Sequence, residues 1–417
     1  MMLFLKECRR IVYSKIYLLF FAAVFFFSFY TQIWSDMATH RDSLGKPEPG
    51  GEDYGIVMID DPEVLTQEST AQLLNDLINN EFTTYPYGFI HVVHLKGSDK
   101  EKLSIILQKL TGFPDPEAYV KNNCKIECTW GETDDVYTNY EIPKLNVLSR
   151  MSIEDFRALM TEADNILGGG SSYAPDRIDE EFCLGPMSYE QALERYNELI
   201  EDDKVTNGYA RLFCDYHGIF MVLFPVFLIA VYYSADKRSK MEQLIYTSSI
   251  SSVKLTLTRF AALVSCMMLP VLFTAVLCNF RVMQFYGAAG LDHFAMIKYS
   301  LIWILPTVIA VTGIGMLLMN LIHPIAVVLL QFAAWFFLAM MGPLSGHFGV
   351  FDIIIRHNTE YGRSEFMDSL PVFIENRVFF TVLGLVCAFA ASFVWDLRRG
   401  GKLGGNKMPR KLFARKS

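Results

Sequence analysis

The sequence predicts an α-helical membrane protein with six transmembrane helices, cytoplasmic N- and C-termini, and a helix-rich α+β extracellular domain between helices 1 and 2. Three observations lead to this fold class. Of the 417 residues, 52% are hydrophobic, and the mean hydropathy is +0.25, which is more than a soluble core of this length requires. The apolar residues form separate runs of membrane-spanning length. Acidic and basic residues are also segregated, because residues 34–215 contain 35 of the 45 acids but only 15 of the 37 bases.

The first 33 residues predict an amphipathic helix followed by membrane helix 1. Lys6, Arg9 and Arg10 precede an apolar run over residues 16–33. The run has the roughly 18 residues that a spanning helix needs, and it lacks a small-residue cleavage site. We therefore expect a retained signal anchor.

Five further apolar runs predict the remaining spans, because each is long enough to cross a bilayer, or nearly so with its flanking aromatic residues. They cover residues 219–233, 260–280, 299–322, 325–341 and 378–395. Pro324 separates two of these runs, since proline cannot continue an α-helix without loss of a hydrogen bond. Gln331 is the only strongly polar residue well inside a predicted span. Buried charge is therefore expected to be nearly absent, which argues against ion-coupled transport.

The orientation follows from the basic residues in the short loops. With the N-terminus inside, the inner segments contain 17 Lys and Arg residues, against five in the short outer loops. The inner segments are residues 1–15, 235–259, 320–324 and 396–417, and the outer loops are residues 281–298 and 343–377. Both termini are accordingly predicted to be cytoplasmic.

The chain is predicted to have four parts. They are the amphipathic elbow and membrane helix 1 (1–33), the extracellular domain (34–212), membrane helices 2–6 (213–397) with a long inner loop (235–259), and a basic cytoplasmic tail (398–417).

The extracellular domain has several local signals of a folded unit. Helices are predicted to begin after Asp61, Ser152 and Ser188, because each is a side chain that can cap a helix N-terminus. Residues 88–95 predict a strand. His91 and His94 are three positions apart on that strand and would point to opposite faces, so we expect no metal site there.

Four cysteines lie in or at the edge of this domain, namely Cys124, Cys128, Cys183 and Cys214. Cys124 and Cys128 could form a local disulfide if the domain faces an oxidising compartment. Their spacing provides no regular set of zinc ligands. The domain has no recognisable catalytic signature, and its many acids are interpreted as a solvated surface.

Residues 237–246 are an amphipathic stretch after the second span. If they are helical, Met241, Leu244 and Ile245 line one face, whereas Lys237 and Arg238 stay largely polar. Two interpretations remain open at this point. The stretch is either a helix on the membrane surface or an element that receives a partner protein.

The membrane segments resemble the ABC type-2 permease family. The resemblance lies in the Phe224-Pro225 pair followed by Phe227, in an acidic residue just inside the membrane, and in the tract Leu-Ile-Tyr-Thr-Ser-Ser that begins at Leu244. A short Lys-Glu-rich helix before the first span is also similar. The resemblance implies that two permease chains pair and that each docks on a separate cytosolic ABC ATPase. It assigns the loop between spans 2 and 3 as the coupling element.

The resemblance also implies roles for particular residues. The residues expected to couple to the ATPase are Asp236, Lys237, Arg238, Met241, Glu242, Leu244 and Ile245. Those expected along the transport pathway are Phe224, Pro225 and Gln331. The chain contains no Gly-x-x-x-x-Gly-Lys-Ser/Thr phosphate loop, so we expect no cofactor on this chain and ATP-Mg on the partner subunit.

The sequence thus predicts the permease subunit of an ATP-driven exporter in a bacterial plasma membrane, with a hydrophobic, peptide or drug-like substrate and no nucleic-acid partner. The alternative is a membrane-anchored extracellular sensor or scaffold without transport. The two differ in their need for an ATPase partner. An intramembrane enzyme is poorly supported, because the predicted spans lack His, Asp and Glu at catalytic spacing.

Overall fold

The computed structural model describes residues 2–31, 46–51, 53–86, 90–130, 137–239, 241, 245–247, 249–287, 290–341, 349–400 and 402. The chain forms two compact units. We call residues 1–46 with 193–417 the helical unit, and residues 47–192 the inserted domain. The inserted domain is narrower than the predicted range of 34–212, because residues 193–212 lead into a long helix and pack within the helical unit.

The secondary structure is mostly helical. The helices are α1 (Met2–Val12), α2 (Lys15–Ser28), α3 (Pro62–Asn79), α4 (Ser98–Thr111), α5 (Pro116–Asn123), α6 (Ile153–Leu167), α7 (Ile178–Phe182), α8 (Tyr189–Asn197), α9 (Thr206–Leu223), α10 (Pro225–Arg238), α11 (Ser252–Tyr286), α12 (Ala295–Tyr299), α13 (Leu305–Leu321), α14 (Pro324–Met341), α15 (Arg363–Asp368) and α16 (Leu370–Arg399). The strands are β1 (Ile56–Met58), β2 (Phe82–Thr84), β3 (His91–Val93), β4 (Ile126–Trp130), β5 (Tyr137–Tyr140) and β6 (Leu184–Pro186).

The helical unit has four helical stretches that are long and apolar enough to cross a membrane. They are Thr206–Asp236, Ser252–Tyr286, Ala295–Leu321 and Leu370–Arg399. The pair α1 and α2 adds a fifth if its 72° bend lies within one span. The chain is therefore a mostly helical membrane protein with four to five candidate spans.

The helix α14 begins at Pro324, as predicted. Its apolar stretch within the described side chains, Pro324–Ala334, is shorter than the other candidate spans. A total of six crossings, with α14 as one of them, and the orientation of the termini therefore stay predictions.

The four long stretches extend beyond the predicted spans and include charged residues. Arg211 and Asp215 lie in α9, and Arg377 lies in α16. All three side chains are buried. These charges therefore lie in the helical extensions beyond the predicted spans, where the side chains have polar partners inside the helical unit.

The helices α13 and α16 approach each other through glycine. An ideal Cβ on Gly384 would lie 2.5 Å from the carbonyl oxygen of Ile309, and a Cβ on Gly313 would overlap the carbonyl oxygen of Gly384. Only hydrogen fits at these positions, so the two backbones meet directly, as at small-residue interfaces in membranes.

The inserted domain has its own apolar core, formed mainly by α3, α4 and α6. The capping side chains act as the sequence predicts. Asp61 accepts a hydrogen bond from the Glu63 amide, and Ser152 accepts one from the Asp155 amide. Ser188 and Gln191 form a reciprocal capping box with distances of 2.9 and 3.2 Å.

The β component is small. The described strands form the antiparallel pairs β1–β6, β2–β3 and β4–β5. The predicted strand over 88–95 is confirmed only at His91–Val93, and residues 87–89 lie outside the described ranges. His94 follows this strand, and its Nδ1 is 2.7 Å from the carbonyl oxygen of Asn80.

Asp76 is a buried carboxylate within the inserted domain. Tyr173, Tyr137 and Gln72 each donate a hydrogen bond of 2.7 Å to it. Burial nevertheless raises the pKa of Asp76 to about 6, because it disfavours the charged form more than the three donors favour it.

Cys124, Cys128, Cys183 and Cys214 are free thiols in the structure, so the disulfide that the sequence leaves possible is not formed there. Cys183 is buried, and its Sγ is 3.8 Å from Oδ1 of Asp179. Within the described ranges, no group of three or more His, Cys, Asp and Glu side chains is placed to bind a metal.

Candidate functional site

The two ends of the predicted inner loop meet at a buried cluster of charges. Asp236 lies at the end of the candidate span Thr206–Asp236. Arg259 lies near the start of the candidate span Ser252–Tyr286, in α11. Both contact the N-terminal helix α1, which contributes Glu7 and Arg10. We call these four residues together with Tyr232 the loop-end cluster.

The loop-end cluster is a continuous chain of contacts. Arg259 lies between the two carboxylates, with its Nε 3.4 Å from Glu7 and its NH2 2.9 Å from Asp236. Arg10 approaches the other oxygen of Asp236 at 2.6 Å. The Tyr232 hydroxyl donates to Glu7 at 2.5 Å. Two positive and two negative side chains therefore balance, and three helices are joined through them.

Burial makes these ion pairs costly to break. The exposed fraction of the side chain is 5% for Arg259 and 9% for both Glu7 and Asp236, whereas Arg10 keeps 33%. Charges that are removed from water in this way must stay paired, and loss of one partner costs about 3–5 kcal/mol. The α1 helix presents Glu7 and Arg10 on one face because they are three residues apart.

The last helix, α16, contacts the C-terminal end of the loop through two hydrogen bonds. The Ser252 hydroxyl donates to Asp396 at 2.6 Å, and Arg399 donates to the carbonyl oxygen of Ile250 at 2.8 Å. The Trp395 ring lies 5.6 Å from the guanidinium carbon of Arg259. Both ends of the loop are therefore fixed to other helices of the unit.

The predicted amphipathic helix over 237–246 is only partly described and is interrupted at Met241, whereas residues 245–246 are helical. Lys237 and Arg238 form the end of α10, and Met241 lies outside any helix. Just beyond the end of α10, the Ser239 hydroxyl bonds to the carbonyl oxygens of Ala235 and Asp236.

Two of the predicted coupling contacts are described after this break. The Met241 side chain is 47% exposed, and the Ile245 amide donates to the carbonyl oxygen of Met241. Glu242 and Leu244 lie outside the described residues. Asp236, which is expected to couple to the ATPase, has its carboxylate held inside the loop-end cluster.

A second buried network lies at the opposite end of α9 and α10. Arg211 has no exposed surface, and it pairs with Asp203 through two hydrogen bonds. Nε2 of His357 lies 3.2 Å from Nε of Arg211 and 2.9 Å from the carbonyl oxygen of Tyr361. Burial, and then the nearby charge of Arg211, lowers the pKa of His357 to about 4, so its ring is neutral near pH 7, and Nε2 donates to Tyr361 because a carbonyl oxygen only accepts.

Asp215 is part of the same region. Its Oδ1 accepts from Arg356 at 2.8 Å and from the amide of His357 at 3.2 Å. The segment that precedes α15 is therefore tied to α9 by charge. Sequence reasoning missed this network, because His357 and Arg356 lie more than 140 positions from Arg211 and Asp215. The only local signal is a pair of charged residues, Arg211 and Asp215, inside an otherwise apolar helix.

The predicted pathway residues lie around the break between α9 and α10. Phe224 occupies the break and is 37% exposed, and Pro225 begins α10. The Gln331 side-chain amide donates to the carbonyl oxygen of Val222 at 3.4 Å. Its own oxygen is buried and has no hydrogen-bond partner among the described residues. The structure thus brings the three predicted residues to one region of the bundle.

Long apolar helices with buried charge networks at opposite ends of the bundle define a polytopic helical membrane protein. The chain belongs to a known family of such proteins. The model of the ABC-2 family transporter proteins matches residues 131–359, which is more than half of the chain. The resemblance found from the sequence is thereby confirmed, and the chain is an ABC-2 permease. No curated protein and no solved structure matches the chain.

The matched range includes only part of the loop-end cluster. It contains Tyr232, Asp236 and Arg259 but neither Glu7 nor Arg10. It begins inside the inserted domain rather than at the first membrane helix.

Proposed function

We propose that this chain is the membrane-spanning subunit of an ATP-driven exporter in a bacterial plasma membrane. ABC-2 permeases generally pair with ATPase subunits. ATP-Mg would be bound and hydrolysed by a separate cytosolic ABC ATPase, because this sequence has no phosphate-binding loop. The observation that carries the proposal is the loop-end cluster, since it fixes both ends of the loop that would receive the ATPase.

The cluster provides a physical route for coupling. A partner that displaces Met241 and its neighbours would act on a loop that ends at Asp236 and Arg259. These two side chains are paired directly and both contact α1. Movement of the loop would therefore be transmitted to α1, α10 and α11 together, rather than absorbed by a flexible connection.

The proposed topology has six crossings with both termini in the cytoplasm. In it, α14 is the fifth crossing, and the inserted domain lies outside the cell. The distribution of basic residues supports this orientation, with 17 on the inner side against five in the short outer loops. Two copies, or this chain and a related permease, would form the transporter.

The substrate would be hydrophobic, peptide or drug-like. Phe224 and Gln331 would line its route near the break before Pro225, where an apolar ring and an unpaired amide oxygen lie close together. The charged side chains of α9 do not argue against such a substrate, because they are committed to partners within the chain.

Co-purification tests the ATPase partner. The tagged full-length chain is solubilised in mild detergent, and the proteins that accompany it are identified for wild type and for Met241→Asp. We expect an ABC ATPase with wild type and at least a tenfold loss with the variant. Phe294→Asp is the matched control, because Phe294 is also exposed (65%) but lies in the connection between α11 and α12.

Two results would contradict the proposal. Equal recovery of the ATPase with Met241→Asp and wild type would indicate that the loop does not couple to the ATPase. Recovery of no ATPase, with the oligomer of this chain intact, would favour the membrane-anchored sensor.

Thiol labelling tests the proposed location of the inserted domain. Cys124 and Cys128 are partly exposed in the structure. A membrane-impermeant maleimide should label them in intact cells, and labelling only after mild reduction would indicate the predicted disulfide. Labelling that requires permeabilised cells would place the domain inside.

A further inference from the structure

We propose that an acidic phospholipid binds in a groove on the helical unit, with its phosphate on Arg377 and an acyl chain along the groove. The groove has a volume of about 330 Å³ and lies between α16 and the residues that lead into α13. Apart from Arg377 and Thr381, its lining is apolar, with Leu301, Ile302 and Pro306 on one side and Phe373 and Val378 on the other. A narrow apolar groove with one cationic group suits an anionic amphiphile.

Arg377 has no anionic partner among the described residues. Its side chain is buried and forms part of the groove wall. It donates to the carbonyl oxygen of Trp303 at 2.7 Å and to the Thr307 hydroxyl at 2.9 Å. Its other two hydrogen bonds go to the side-chain oxygen of Asn376. All of these acceptors are neutral.

This environment differs from that of the other buried arginines of the unit. Arg211 is paired with Asp203, and Arg259 lies between two carboxylates. A guanidinium has five N–H donors, and the four bonds of Arg377 leave one of them without an acceptor. An unpaired buried charge is costly, and a phosphate would supply both the missing charge and the missing acceptor.

The surroundings of the groove indicate that the ligand comes from the bilayer. Ile302, Val378 and Val382 are each more than half exposed, at 55%, 56% and 53%, and all lie in candidate spans. A ligand would therefore enter the groove laterally, from the hydrocarbon region of the bilayer. Arg377 is seven residues beyond Leu370 at the start of α16, which places it about 10 Å along the helix axis. In the proposed topology α16 crosses the bilayer, and a group this near its start would lie closer to a headgroup layer than to the midplane.

Native mass spectrometry of the full-length chain in detergent tests the assignment. The chain is titrated with phosphatidylglycerol and, separately, with phosphatidylcholine of identical acyl chains. We expect at least about tenfold tighter binding of phosphatidylglycerol, because only its phosphate carries an unneutralised charge to Arg377. Arg377→Gln should remove this preference. Arg281→Gln is the matched control, since Arg281 is also in a spanning helix but does not line the groove.

A second variant separates lost binding from lost folding. Val382→Trp would fill the groove and leave the charge of Arg377 in place, so binding of both lipids should fall while the protein stays monodisperse. Equal affinity for the two lipids, or an unchanged preference in Arg377→Gln, would overturn the proposal.

Two further outcomes would assign the groove to another occupant. Competition by inorganic phosphate alone at millimolar concentration would indicate a soluble anion. Conversion of a dimer to a monomer by Val382→Trp would indicate a second copy of the chain. Neither result depends on whether an ATPase binds the loop.

Discussion

Replacing Asp236 with Asn should destabilise the helical unit much more than replacing Arg10 with Gln. Asp236 contacts both arginines of the loop-end cluster, at 2.6 and 2.9 Å. Its loss would leave two guanidinium groups facing one carboxylate, and one of them, Arg259, is 5% exposed. Breaking a buried pair in this way costs about 3–5 kcal/mol. Arg10 is one-third exposed, so its loss should cost only about 1 kcal/mol or less.

The apparent melting temperature in detergent measures the difference. One kcal/mol corresponds to about 2–4 °C in a chain of 150–250 residues, so Asp236→Asn should lower the melting temperature by about 10 °C. Arg10→Gln should lower it by about 3 °C or less. The double variant should lose less than the sum of the two, because it restores equal numbers of positive and negative charges in the cluster.

The opposite pattern would refute this interpretation of the cluster. If the two single variants lose the same amount, Asp236 is not the residue that balances Arg259. If the losses add in the double variant, the two side chains do not interact in the protein.

Two other substitutions and one pH dependence test separate features. Gly384→Ala should cost about 1–3 kcal/mol of stability, because the added carbon would overlap the backbone of α13. Gly400→Ala should be nearly neutral, because the nearest atom to its added carbon is 3.5 Å away. Thermal unfolding of both variants compares the two. Arg211→Gln should cost about 3 kcal/mol, because the buried Asp203 would keep only the partly exposed Arg363, 3.6 Å away, as a cationic partner. Equal melting temperatures for variant and wild type would contradict this. Asp76 should make the inserted domain more stable at pH 4 than at pH 7. Its folded pKa of about 6 exceeds the ordinary 3.8, so the folded state binds the proton more tightly, and about 3 kcal/mol is lost as the pH rises through this window. Hydrogen exchange of α3 in the full chain, corrected for the intrinsic rate, should show this dependence in wild type, and a persistent dependence in Asp76→Asn would exclude Asp76 as its source.

The parts of the fold that depend on nearby residues could be predicted from the sequence. Asp61, Ser152 and Ser188 cap helices through amides two or three residues away, and Pro324 separates two helices by its own chemistry. Each long apolar run also became a helix. These features follow from local rules, so one sequence is enough to find them.

The features that depend on distant partners could not be predicted. Glu7 and Arg259 are 252 positions apart, and Arg211 and His357 are 146 apart. The helices that contain the second and last predicted spans begin earlier than the apolar runs, at Thr206 and Leu370. A buried arginine inside a helix needs polar partners, such as the carboxylate that pairs with Arg211 or the neutral acceptors around Arg377, and the distant ones cannot be recognised without the fold.

The direct backbone contact between Gly313 and Gly384 has a consequence for leakage. Because no side chain separates α13 from α16 at this level, the seam between them has no room for a water molecule or an acyl chain. Ions and solutes cannot cross there in any state that keeps the two backbones together. A membrane has to keep its potential while the helices of a transporter rearrange, and in this structure the seam is a closed part of that barrier.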